Sequence, residues 1–244
     1  MATFLGSRLV TQCRSAAPKN CVIFLHGSGD SGDNIGRCVG SYLESLPDTV
    51  ILYPTAPLRP YSLNGGSQSR VWHDRKDLSL SADEDAKGIE QMGRHFVTLL
   101  NDVNEKMNIP NNRIVVGGFS QGGHMALQLG FRDFLTEPVA GVFALSAFLA
   151  ERSVVFEEMT RFREKRNIPV FMAHGDSDPI VEYSWGQRTF DRVVAEGDLR
   201  IASFHQFRGF HHIDEKVMEN LETWIAQRFS SSLTETSLPD SQQV

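Results

Sequence analysis

Six short apolar runs recur along the chain, each closed by turn residues. They are 22–27 (VIFLHG), 49–54 (TVILYP), 113–119 (RIVVGGF), 139–145 (VAGVFAL), 168–175 (IPVFMAHG) and 200–207 (RIASFHQF). Most are apolar throughout and rich in Val, Ile and Phe, which suits strands covered on both faces, as in a parallel sheet. Between them lie segments with helical spacing. Over about 84–107, the residues Ile89, Met92, Phe96, Leu99, Leu100 and Val103 fall on one stripe; over 214–229, Val217, Leu221, Trp224, Ile225 and Phe229 share a face. Segments 121–132 and about 184–196 are the other two helices. Strands alternating with helices predict an α/β fold, a mostly parallel central sheet with helices on both faces. The stretch 56–83 breaks the alternation. It is long, polar and studded with Pro and Gly, and loops of that length in compact domains are often functional, so it is expected to cover a site. The last fifteen residues, 230–244, are polar and aperiodic and read as a disordered tail. The expected organisation is one domain over 1–229 followed by that tail.

Charge and cysteine content narrow the classes. A net charge of -6 with no Lys/Arg cluster leaves no footprint for nucleic acid or for an anionic membrane surface. Cys13, Cys21 and Cys38 are odd in number and lack CxxC spacing, which points to free thiols in a reducing compartment. No stretch approaches the length of a membrane span, the first residues lack a signal-peptide core, Ala2 excludes N-myristoylation and the C-terminus is no prenylation box. The expectation is a cytoplasmic protein without stable membrane insertion, monomeric, with no metal and no cofactor, since no histidine pair has zinc spacing and no Cys/His cluster exists.

The chemistry begins at Gly118-Phe119-Ser120-Gln121-Gly122, a G-x-S-x-G between an apolar strand and a helical segment. In a nucleophile elbow, the serine sits on a tight strand-to-helix turn and the following helix directs its N–H groups toward the serine oxygen. A serine hydroxyl is a weak nucleophile near neutral pH. It needs an imidazole base, and the imidazole needs a carboxylate to fix its tautomer. In an α/β-hydrolase arrangement these follow in the order Ser, Asp, His, each after a strand. Two carboxylates qualify, Asp176 and Asp178, in the DSDP segment after 168–175; two histidines qualify, His211 and His212, before the last helix. Residue chemistry alone leaves both pairs open. For the developing oxyanion, the backbone N–H of Gln121 is one expected donor and that of Ser28, in the glycine-rich loop after 22–27, is the other.

Taken in order, FLHGSGDSG, YPTAP, VWHDR, GGFSQGG, HGDSDPIV and FHH with Trp224 on the final helix resemble the acyl-protein thioesterase and lysophospholipase family of α/β-hydrolases, over residues 10 to 229. The resemblance implies an α/β-hydrolase fold and a serine esterase or thioesterase acting on an acylated protein or a small acyl ester or thioester, including protein depalmitoylation or lysophospholipid hydrolysis. It assigns the nucleophile to Ser120, the acid to Asp178, the base to His211 and the oxyanion donors to Ser28 and Gln121. Two positions depart from the family pattern: Leu is usual where Ser28 stands, and Phe where His73 stands. Ser28 and the 56–83 stretch support one alternative, a short-chain carboxylesterase with little long-chain lipid activity; a second alternative is a non-catalytic acyl- or protein-binding module that would use 56–83 as its contact surface.

Overall fold

The computed structural model describes residues 3–4, 7–8, 10–161 and 168–231; the tail expected over 230–244 lies, beyond Ser231, outside the described residues. A short ribbon, β1 (Thr3–Phe4) and β2 (Ser7–Arg8), precedes the central sheet. That sheet contains β3 (Val10–Cys13), β4 (Asn20–Leu25), β5 (Thr49–Tyr53), β8 (Ile114–Phe119), β9 (Gly141–Leu145), β10 (Val170–Gly175) and β11 (Ala202–Phe207). Its seven strands lie in the order β11-β10-β9-β8-β4-β5-β3, all parallel except β3, which pairs antiparallel with β5. The remaining two strands, β6 (Leu58–Tyr61) and β7 (Ser67–Arg70), form an antiparallel ribbon away from the sheet.

Each central strand is apolar on both sides, and its residues alternate between two cores. Cys21, Ile23 and Leu25 of β4 face one core, and Val22 and Phe24 face the other. The first core receives α2 (Ala86–Met107), α3 (Gln121–Phe131), α4 (Val154–Arg161) and α5 (Tyr183–Gly197); the second receives α1 (Gly32–Leu43) and α6 (Glu215–Ser231). Helix α3 is buried along its whole length, because α2 and α4 flank it against the sheet. Among the described residues no helix is long and apolar enough to cross a membrane.

The four expected helices and six expected strands are all present. The polar stretch 56–83 is more structured than a loop. It contains β6 and β7, and it then drives Val71 and Trp72 into the core with no side-chain exposure. Trp72 packs 5.4 Å from Phe96 between ring centroids, and its indole N–H donates to the His26 carbonyl at 2.8 Å.

Candidate active site

The chain leaves β8 at Phe119 and enters α3 at Gln121, so Ser120 alone makes the turn. Its φ of 54° and ψ of -120° lie outside the regions side-chain-bearing residues favour. Such strain persists only where the surroundings over-determine it, and it concentrates at functional sites. The flanking glycines explain how the turn closes. A Cβ on Gly118 would stand 2.4 Å from the Leu25 carbonyl oxygen, and one on Gly122 would stand 2.2 Å from the same atom. Strand β4 and the elbow are therefore in backbone contact.

Three strand ends converge at the carboxyl edge of the sheet. Ser120 follows β8, Asp178 follows β10 and His211 follows β11. His211 Nε2 lies 3.0 Å from Ser120 Oγ, and His211 Nδ1 lies 2.7 Å from Asp178 Oδ2. Asp178 is 6% exposed; its Oδ1 accepts from the peptide N–H groups of Ile180 and Val181, both at 2.9 Å. The geometry separates the two open pairs. Asp176 points to solvent, where its carboxylate accepts from the Gly209 N–H at 3.2 Å and ties the β10 and β11 loops together. His212 packs edge-on against Phe207, 5.3 Å between centroids. Neither reaches Ser120.

Ser28 and Gln121 line a cleft of about 340 Å³ together with Ser120 and His211. Gln121 is the first residue of α3, so its N–H has no helical acceptor. Among the described residues neither that N–H nor the Ser28 N–H is taken by an acceptor. The Gln121 side chain is fully committed to the 71–75 segment: its Oε1 accepts from the Trp72 N–H at 2.8 Å and its Nε2 donates to the His73 carbonyl at 2.9 Å. Sequence reasoning assigned Gln121 only its backbone; the side chain also holds the cleft wall in place.

Two buried histidine environments were also unforeseen. His174, the penultimate residue of β10, has Nε2 at 2.9 Å from the Val181 carbonyl and 3.4 Å from Asp178 Oδ2. Burial lowers its pKa, so it stands as a neutral donor behind the Asp178 carboxylate. The spacing His174-x-x-x-Asp178 was the available signal. On the other side of α3, His73 Nε2 lies 3.0 Å from His124 Nδ1, and His124 Nε2 lies 3.0 Å from Glu84. Glu84 also accepts from Gln128 and Ser153, so this chain joins α3 to the segment leading into α2.

Burial, with His124 and Arg75 beside it, holds His73 well below the usual imidazole pKa. The folded ring therefore refuses a proton that the unfolded chain binds. Its contribution to stability is intact above the unfolded pKa of about 6.5 and declines as pH falls below it, by about 1.4 kcal/mol per pH unit. We expect His73→Phe to flatten the acid limb of a Tm-against-pH curve by about that slope. Parallel curves for the two proteins between pH 7.5 and 5 would contradict the assignment.

The chain matches the phospholipase/carboxylesterase family over residues 7–228. It is 36% identical over 212 residues to lysophospholipase-like protein 1 of Mus musculus, covering 85% of this chain and 86% of that protein. It is 36% identical over 218 residues to acyl-protein thioesterase 1 of Mycosarcoma maydis, covering 84% and 89%. Among solved structures, acyl-protein thioesterase 2 of Zea mays superposes with a TM-score of 0.79 at 27% identity, covering 91% of this chain and 99% of that one. The chain belongs to the phospholipase/carboxylesterase family.

Proposed function

We propose that this member of the phospholipase/carboxylesterase family is a serine hydrolase that cleaves carboxylic esters or thioesters through an acyl-enzyme. The observation that carries the reading is the continuous chain Ser120 Oγ, His211 and Asp178, at 3.0 and 2.7 Å. Ser120 Oγ attacks the acyl carbon while His211 Nε2 takes its proton. Asp178 holds the Nδ1–H tautomer and offsets the charge of the imidazolium. The N–H groups of Ser28 and Gln121 stabilise the oxyanion. His211 then gives its proton to the departing alkoxide or thiolate. A water molecule, deprotonated by His211, attacks the acyl-enzyme, and collapse of that second tetrahedral species returns Ser120 as a free hydroxyl and releases the carboxylic acid.

Relatives named acyl-protein thioesterase and lysophospholipase-like protein make acylated proteins and small acyl esters the substrate classes to test. The size of the cleft, about 340 Å³, and its polar members Ser28, Asp30, Tyr61 and Arg75 favour short acyl groups. Forcing extra methylenes into a filled pocket costs about 1–3 kcal/mol, or roughly 5- to 150-fold in rate. In a series of p-nitrophenyl esters from acetate to palmitate, kcat/KM is expected to peak among the short chains and to fall by a factor in that range toward palmitate. A steady rise to the longest chain would refute the short-chain assignment while leaving the hydrolase reading intact.

A further inference from the structure

The active-site cleft holds a cation that the acyl-transfer chemistry does not use. Arg75 lines the same cleft as Ser120, Gln121 and His211, on the wall built from the 56–83 stretch. Its guanidinium lies over the ring of Phe148, 4.7 Å from Cζ to the centroid. Among the described residues it donates no hydrogen bond and has no carboxylate within ion-pair distance. Among the described residues, the five N–H donors of its planar fork have no hydrogen-bond acceptor. Half-buried guanidinium groups normally find a carboxylate, since desolvating an unpaired charge is costly.

The surroundings explain why none is found among the described residues. Glu84, whose charge is felt at Arg75, has one oxygen on His124 and the other on Gln128 and Ser153. Asp30, the one carboxylate among the cleft residues, accepts from the Ser31 N–H at 2.8 Å and makes no ion pair with Arg75. The backbone of Arg75 is pinned on both sides. Its carbonyl accepts from the Leu63 N–H at 3.1 Å. The preceding Asp74 accepts from the Ser62 N–H and hydroxyl at 2.8 and 2.6 Å, and donates its own N–H to Asp85, the N-cap of α2, at 3.0 Å. The guanidinium is thus preorganised by the ribbon turn, the α2 cap and the Phe148 ring. A planar fork stacked on an aromatic face is the geometry that takes a carboxylate bidentately. With a net charge of -6 the whole-molecule field does not attract anions, so recognition falls to this local group.

We propose that Arg75 is a specificity-determining residue that binds a carboxylate carried by the substrate, so that the site prefers short acyl esters or thioesters bearing a negative charge. The proposal rests on the hydrolase reading above and names the substrate class for that site. The carboxylate belongs either to the acyl half or to the leaving half, and two substrate pairs distinguish them. For the acyl half the pair is monophenyl adipate and its neutral isostere, the phenyl ester of adipamic acid. For the leaving half it is 4-acetoxybenzoate and 4-acetoxybenzamide.

The readout is the ratio of kcat/KM for the charged over the neutral member, which cancels differences in the amount of folded enzyme. A charge-assisted hydrogen-bonded pair corresponds to about 10- to 100-fold. The wild type should show a ratio in that range for one pair, and that pair identifies the half. Arg75→Gln should bring the ratio to near one, and Arg75→Lys should retain part of it. A wild-type ratio near one in both pairs, or a ratio that survives Arg75→Gln, overturns the proposal. Calorimetric binding of monophenyl adipate and 4-acetoxybenzoate to Ser120→Ala, with and without Arg75→Gln, needs no turnover. Binding that weakens with Arg75→Gln upholds the anion site even if no ester is hydrolysed, in which case only the hydrolase reading fails. Equal binding of both ligands in the two variants counts against the anion site.

Discussion

Ser120→Ala should lower kcat by roughly 10³-fold or more and abolish covalent labelling by a fluorophosphonate, with little change in Tm. The large effect on rate follows from the position of Oγ, which is the group 3.0 Å from His211 Nε2 on a turn that exists to expose it. The small effect on stability follows from the backbone. Ala at φ 54° bears the same steric strain as Ser, and the hydroxyl's hydrogen bond to His211 lies in a cleft that water reaches. Intact-mass spectrometry after brief labelling, with peptide mapping, checks both. One adduct on Ser120 that is absent in the variant is the expected result. Turnover by the variant at the wild-type rate, or an adduct on another residue, would remove Ser120 from the mechanism.

The elements that could be read in advance were those whose periodicity no local feature interrupts. The central strands are covered on both faces, so their apolar runs are unbroken, and α2 carries its stripe from Ile89 to Val103, over about four turns. Helix α1 was hidden although Ile35, Val39 and Leu43 have helical spacing. Gly32, Gly36 and Gly40 look like breakers there, but they let the helix lie close to the sheet: a Cβ on Gly36 would meet the Tyr53 ring of β5 at 3.2 Å, and one on Gly40 would meet the Gln12 side chain of β3. The edge strand β3 and the ribbon of β6 and β7 have no doubly buried core to give them an apolar signature. At the site, the elbow was legible because glycine, serine and glycine are required by local backbone geometry. Choosing Asp178 over Asp176, or His211 over His212, was beyond residue chemistry, because the choice depends on which side chain turns inward where two strand ends meet. The roles of His174, Arg75 and the Gln121 amide likewise depend on contacts between a strand end and its turn or between separate segments. The family resemblance supplied the first two assignments; it was silent on the other three.

The carboxylate pair also carries the second large prediction. Asp178→Asn should lower kcat by about 10⁴-fold at unchanged fold, whereas Asp176→Asn should cost less than about threefold. The reason lies in the unequal partners of the two Asp178 oxygens. Oδ1 accepts two peptide N–H groups, from Ile180 and Val181, and Oδ2 faces His211 Nδ1 with His174 Nε2 behind it. An asparagine keeps its carbonyl oxygen on the two peptide donors, because turning its NH₂ toward them would set donor against donor. The NH₂ then faces His211 Nδ1. To accept from it, His211 must move its proton to Nε2, where it points at Ser120 Oγ and can no longer take the serine proton. The variant therefore assembles the three side chains with the imidazole in the wrong tautomer. Nitrogen chemical shifts of the His211 ring report this directly: the wild type should be protonated at Nδ1 and the Asn variant at Nε2. Asp176, exposed and bonded to the Ser177 hydroxyl and the Gly209 N–H, imposes no such choice on any imidazole. A tenfold or smaller loss in Asp178→Asn, or an Nδ1-protonated ring in that variant, would mean that the carboxylate orients nothing and that the 2.7 Å contact is structural.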